Sequence, residues 1–225
     1  MAQYVLAITK DLKKLSVRAE EINVLYKNKE ATKIINDLKD TLRANKDLVA
    51  LAAPQLGHRV RMFCIKFANG DIRAFVNPMI TKHEGLHLTR ERCASIPDKD
   101  FIVPRPDRII AVYQTPVGRA EENVFEGVAA EIFQQMVNLL DGVLLTDIGL
   151  EVTEEFDKAS PEEQKEVLDY YLDTLKKRAE ALNEEIESDE DLKETKRAID
   201  FMAGVASGEI TLEKQYKNPE ETESN

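Results

Sequence analysis

Residues 127–142 read GVAAEIFQQMVNLLDG, and the period of this stretch decides the fold. Val128, Ile132, Met136, Leu139 and Leu140 recur at helical spacing, while Ala129, Phe133 and Val137 add apolar positions on a second face. A helix that is apolar nearly all round has to be buried nearly all round, and Gly142 marks its end. The preceding sequence has a different period. RVRMFCIKF (59–67) and DIRAFVNPMI (71–80) alternate or run apolar over strand length. Between them, Ala68-Asn69-Gly70 carries the Asn-Gly pair favoured in tight hairpin turns. DRIIAVYQT (107–115) predicts a further strand, with its antiparallel partner in GRAEENVFEG (118–127). Nearer the start, KEATKIINDLKDTLRAN (29–45) sets Ile34, Ile35, Leu38 and Leu42 on one face of an amphipathic helix. It is followed by DLVALAAPQLG (47–57), apolar and closed by Pro and Gly. Antiparallel strands around one buried helix make residues 1–150 an α+β domain.

Residues 151–215 change character again and predict an acidic helical extension. Ser160-Pro161-Glu162-Glu163 combines an N-cap serine, a proline at the first helical position and a glutamate three residues after the serine. Leu168, Leu172, Leu175, Ala179, Leu182 and Ile186 then follow a coiled-coil-like 4-3-4-3-4 spacing. Ser188-Asp189-Glu190-Asp191 predicts the start of a second helix, with Leu192, Ile199, Met202 and Ala206 as its stripe and Gly208 as its end. The pair reads as a helical hairpin, and residues 216–225 as a disordered tail.

Of the net charge of −11, the acidity belongs to this extension: residues 151–225 hold 23 acidic and 10 basic side chains, leaving 19 and 21 to residues 1–150. Phosphate binding needs the opposite sign, so nucleic acid is excluded as a partner of the C-terminal part. No apolar run approaches the roughly 20 residues that span a bilayer, and the lysine-bearing N-terminus does not read as a signal peptide, so no membrane partner is expected. Cys64 and Cys93 give no disulfide framework and point to a reducing compartment, hence a cytoplasmic location.

HEGLH at 83–87 matches the His-Glu-x-x-His of zinc hydrolases, which works because a helix sets residues i and i+4 on one face. Here glycine sits at its centre, and Asn77-Pro78 upstream disfavours helix. Extended, His83 and His87 would lie about 13 Å apart at roughly 3.3 Å per residue, too far to share one ion. We read them as exposed loop or edge-strand histidines, and the motif as a decoy.

Three other stretches carry a family resemblance. LAAPQLG (51–57), ERCASIPD (91–98) and QQMVNLLDG (134–142), in this order and spacing, resemble the three motifs of the peptide deformylases, GxGLAAPQ, EGCLS and QHExDHLxG. The resemblance covers residues 1–150 and implies a deformylase-like fold, with antiparallel sheets around a central helix that carries the third motif. It also implies removal of the N-formyl group from the initiating methionine of new proteins. In that family a metal is held by the second-motif cysteine and two third-motif histidines, and the third-motif glutamate is the general base. By position, Cys93 matches the cysteine and Gln55 the glutamine that stabilises the oxyanion. Gln135, Met136 and Leu139 stand where the first histidine, the glutamate and the second histidine belong. Arg92 stands for the glycine before the cysteine and would intrude on the substrate cleft, while Ala94 replaces the leucine after it. Leu48 and Ala50 replace the glycines of the first motif, and Glu91 is expected to pair with Arg105.

A catalytic divalent metal needs about three protein ligands and an open position for water. The substitutions therefore predict no metal, no cofactor and no general base. The expected function is that of a catalytically inactive, structural or assembly protein, with Leu168, Leu172, Leu175, Leu182 and Ile186 as an interaction seam. Its partners would be copies of itself or other subunits, for instance those of a ring or connector in a bacteriophage particle, which would place it in a virion. A vestigial module that binds peptide N-termini and an active deformylase with a non-standard metal site are the alternatives.

Overall fold

A computed structural model describes residues 8–24 and 28–185, with side chains through Arg178. The chain divides into two units, Met1–Glu151 and Val152–Asn225. In the first, a single turn α1 (Leu12–Leu15) precedes α2 (Lys29–Ala44). Asn28 caps α2, its carboxamide oxygen accepting the N–H groups of Glu30 and Ala31 at 2.9 and 3.2 Å. The apolar face of α2, Ala31, Ile34, Ile35, Leu38 and Leu42, is wholly buried.

Five antiparallel strands form the main sheet, β1 (Ala50–Ala52), β2 (Met62–Lys66), β3 (Ile72–Glu84), then after two intervening strands β6 (Arg108–Gln114) and β7 (Ala120–Glu126), in spatial order β1-β2-β3-β6-β7. The intervening β4 (His87–Cys93) and β5 (Ile96–Arg105), with β8 (Leu150–Val152), form a second sheet in the order β4-β5-β8. Between β7 and β8 lie α3 (Val128–Leu140) and the short α4 (Leu145–Ile148). Along β2, Met62 and Cys64 pack with α2 while Phe63 and Ile65 pack with α3. That strand is therefore buried on both faces, which is why its sequence runs apolar instead of alternating cleanly.

α3 is enclosed as its composition requires. Phe133 meets Phe63, Phe75 and Phe125 from the main sheet, with ring centroids 5.0, 5.3 and 4.5 Å away. The same core takes Cys93, Ile96, Phe101 and Val103 from the second sheet. Gly142 ends the helix at φ 76°, and a Cβ there would sit 2.9–3.0 Å from backbone atoms of Ser16 and Val17. Ala19 N–H donates to the Leu140 carbonyl at 2.7 Å, so the N-terminal segment satisfies an end of the helix that would otherwise be orphaned.

The α+β fold, the hairpin at residues 59–80 and the central helix agree with expectation, and three features differ. β3 does not stop at Pro78; a bulge lets it continue to Glu84, with Asn77 at φ 46°. The Asn77 carboxamide stabilises that bulge by bonding both the N–H and the carbonyl of Ile22. The resemblance implied more than one sheet, but the period of the sequence did not reveal the strands of the second, because β5 carries Pro97 and Pro104 and β4 mixes charged and apolar residues. HEGLH bridges the end of β3 and the start of β4.

In the second unit, α5 (Glu154–Lys158) leads to α6 (Pro161–Glu185). The expected capping box forms, with Glu163 N–H donating to Ser160 Oγ at 3.3 Å and Ser160 N–H to the Glu163 carboxylate at 2.8 Å. Leu168, Leu172 and Leu175 are half-buried. The side chain of Leu182, Ile186, the second helix expected from Ser188 and the tail at 216–225 lie outside the described residues. No helix of the described residues is long and apolar enough to cross a membrane.

Because Phe133 fills the junction of the main sheet and α3, Phe133→Ala is expected to lower stability by about 3–5 kcal/mol, measured by urea unfolding.

Candidate functional site

The three motif stretches converge around the middle of α3. Gln55 lies in the tight turn Ala53–Leu56 that follows β1 and is fully buried. Its Oε1 accepts the Ala52 N–H at 2.9 Å, which fixes the amide so that Nε2 faces the second motif. That Nε2 donates to Ser95 Oγ at 3.2 Å and lies 3.8 Å from Cys93 Sγ. Cys93 ends β4, and burial pushes its thiol up from its ordinary pKa. Beside it lies a cavity of about 10 Å³, room for roughly one water, lined by Cys93, Ser95, Gln135, Asn138, Leu139 and Leu15 among others. Gln55, Cys93, Gln135 and Leu139 are thus brought together as the motif spacing requires.

Met136 and Leu139 are buried core residues, 2% and 3% exposed. Packing each is worth roughly 1.5–3 kcal/mol, whereas uncoordinated histidine or glutamate there would cost stability. Gln135 does not reach for Cys93. Its Nε2 donates to Glu91 Oε2 at 2.9 Å and to the Arg92 carbonyl at 3.1 Å. Glu91 in turn forms the expected ion pair with Arg105, a two-pronged contact at 2.7 and 2.9 Å between side chains only 7% and 3% exposed. The third arm of the Arg105 guanidinium donates to Asn138 Oδ1 at 2.5 Å. Arg92, expected in the cleft, instead points to solvent and is bonded to Asp100, which also pairs with Arg90. Two of these residues, Ser95 and Asn138, had no role in the sequence reading. Ser95 was nevertheless visible inside ERCASIPD, and Asn138 sits one turn after Gln134 on the motif helix.

The histidines of HEGLH lie apart from this site. His83 closes β3, and burial holds its pKa below the usual imidazole range. His87 opens β4, an edge strand of the second sheet in keeping with the edge-strand reading, and is part-buried and not fully exposed. Its Nε2 is 2.9 Å from the Glu131 carboxylate, and its Nδ1 makes a close ion pair with Asp107 at 2.6 Å. Partial burial disfavours the charged ring, but the two carboxylates outweigh it and raise the pKa of His87. Among the described residues, no group of three His, Cys, Asp or Glu side chains is placed to hold a metal ion.

This arrangement can be set against known proteins. The family model for polypeptide deformylase matches residues 5–154. This chain belongs to the polypeptide deformylase family. A peptide deformylase of Dictyoglomus turgidum is 29% identical over 137 residues, covering 61% of this chain and 87% of the relative. That of Thermotoga petrophila is 35% identical over 126 residues, covering 53% and 76%. Among solved structures, peptide deformylase from Thermotoga maritima superposes with a TM-score of 0.59 at 30% identity, over 64% of this chain and 97% of that one. A Synechococcus phage S-SSM7 protein described as a probable peptide deformylase gives 0.58 at 28%, over 64% and 99%.

These relatives correct the functional expectation. The chain was expected not to be an enzyme but a structural part of an assembly such as a phage particle. Yet the relatives at about 30–35% identity are named for an enzyme, and none is named for a structural part. The metal that the family implies remains a separate matter, because this chain's donors do not fit it. One thiol with its pKa raised and an amide already engaged by Glu91 and Arg92 are the only polar side chains at the four matching positions. No reaction step is therefore assigned to a metal here.

Removing one partner of the buried pair should be costly: Arg105→Met is expected to destabilise by about 3–5 kcal/mol, while the double change Glu91→Met with Arg105→Met should cost clearly less, both read by denaturant unfolding. His87 gives a pH dependence of known sign. Its folded pKa is raised, so its stabilisation is complete below the unfolded value of roughly 6.5 and is lost as pH rises through the folded value. Thermal unfolding between about pH 5.5 and pH 8 should show this loss, and His87→Gln should flatten it.

Proposed function

We propose that this chain acts on the formylated N-termini of peptides, the substrate class of the family to which it belongs. The observation that carries the reading is the retained half of the site. Gln55 and Cys93 occupy the positions that the family uses for the carbonyl and for the cysteine, and they sit in direct contact, with Cys93 lining a water-sized cavity next to α3. Family membership over residues 5–154 supplies the class of substrate.

The work assigned to this chain's own residues is positioning. Gln55, held by the Ala52 N–H, offers its Nε2 to a substrate carbonyl oxygen in exchange for the Ser95 hydroxyl. A donor fixed before the substrate arrives is worth most where charge develops on that oxygen. Glu91 takes no proton in this scheme, because Arg105 and Gln135 already occupy its oxygens. The likeness to a phage-encoded relative supports a phage-borne member of the family as the setting for the altered third motif.

The test is turnover of formyl-Met-Ala-Ser by the full chain, as purified and after addition of Fe²⁺, Ni²⁺ or Zn²⁺, with the metal content measured alongside. Turnover that Gln55→Leu lowers about 10²–10³-fold, in protein that circular dichroism shows still folded, is the expected result. Absence of turnover in every metal state would overturn the reading, and so would turnover insensitive to Gln55.

A further inference from the structure

An open cleft of the first unit is on the opposite side of the main sheet from α3 and has no part in the site above. It lies where the C-terminal half of α2 meets the β2–β3 hairpin and encloses about 470 Å³. Its charged lining is Lys39, Arg43, Lys46, Lys66 and Asp71. On α2, Lys39 and Arg43 stand at the i, i+4 spacing that sets side chains along one face of a helix, and Lys46 follows in the turn after the helix end. Its single carboxylate is already committed: Asp71 accepts from Arg73 Nε at 2.9 Å.

Cations near a helix C-terminus also complement the helix dipole, and Lys66 does this here. Its ammonium donates to the carbonyls of Asn45 and Lys46 at 3.3 and 3.1 Å. That leaves one of its three N–H donors for another acceptor. Arg43 donates to Asp40 through a single nitrogen, leaving most of its fork free. Lys39 lies more than a turn before the helix end, where the dipole asks for nothing, and neither Lys39 nor Lys46 forms an ion pair with a described residue. Four cations around one cleft, with a balance of charge that helix capping does not require, call for an external anion.

We propose that this cleft binds a compact di- or triphosphate group. The volume falls in the range of small-ligand sites, and the spread of four cations over α2, the turn after it and β2 suits several phosphate oxygens better than one carboxylate. The absence of an aromatic side chain among the lining residues argues against recognition of a base, so the phosphates themselves are what is read.

The experiment is calorimetric titration of the full chain with inorganic tripolyphosphate at about 150 mM salt, with ATP and a short single-stranded oligonucleotide as separate arms. One molecule of tripolyphosphate per chain is expected, with ATP bound within about threefold of the same affinity. The double variant Lys39→Glu with Lys46→Glu should weaken both at least tenfold while leaving the melting temperature unchanged. No binding at this salt, binding indifferent to the double variant, or a clear preference for the oligonucleotide would each overturn the proposal. Because the cleft shares no residue with Gln55 or Cys93, the outcome is independent of formyl-peptide turnover.

Discussion

The constraint on which the rest depends is that α3, past its exposed first residue Val128, has almost no face to give to water. Val128–Leu140 carries apolar side chains on nearly every side, so the chain must build walls around it. Phe63, Phe75 and Phe125 supply one wall from the main sheet, and Cys93, Ile96, Phe101 and Val103 another from the second sheet. The few polar side chains of the helix each have a fixed partner. Gln134 donates to the carbonyls of Pro106 and Ala130, and Gln135 and Asn138 join the Glu91–Arg105 pair. An unpaired polar group in this interior would cost on the order of 1–3 kcal/mol. The network is therefore a condition for burying the helix, quite apart from any chemistry.

The same network explains why the third motif could change without loss of the fold. Arg105 reaches across from β5, grips Glu91 on β4 with two donors and Asn138 on α3 with a third. One guanidinium thereby sets the distance between the second sheet and the helix. Gln135 adds a fourth contact to this cluster, and Met136 and Leu139 add apolar contact to the core. Histidine, glutamate and histidine at these three positions would be stable only with an ion to satisfy them, whereas the side chains present are satisfied by the protein alone.

The main sheet and the central helix were legible because burial on a defined face leaves a period in the sequence. β6 alternates, α2 has a single apolar stripe, and the Asn-Gly turn announces its hairpin. The second sheet left no such trace. β5 begins Ile-Pro-Asp-Lys-Asp, and only its last half is buried, so neither period dominates. The passage of β3 through Asn77-Pro78 was hidden for a related reason: the bulge is stabilised by Ile22, some 55 residues away, and no local pattern reports a partner at that distance. For the site, the structure brings the motif residues Gln55, Cys93, Gln135 and Leu139 together. The capture of Gln135 by Glu91 and the turning of Arg92 towards Asp100 depend on side-chain partners across strands, which spacing does not encode.

Loss of the ligand residues led the sequence reading to an inactive protein, and the relatives overturned that step. Donor chemistry bears on whether these side chains can hold an ion. Descent, seen in a match across residues 5–154, bears on what the cleft is shaped to receive. The two meet at Gln55. Its amide is oriented by a backbone N–H and not by any metal, so its orientation does not depend on the residues changed on α3. A function that rests on Gln55 thus rests on the part of the site that the fold itself holds in place.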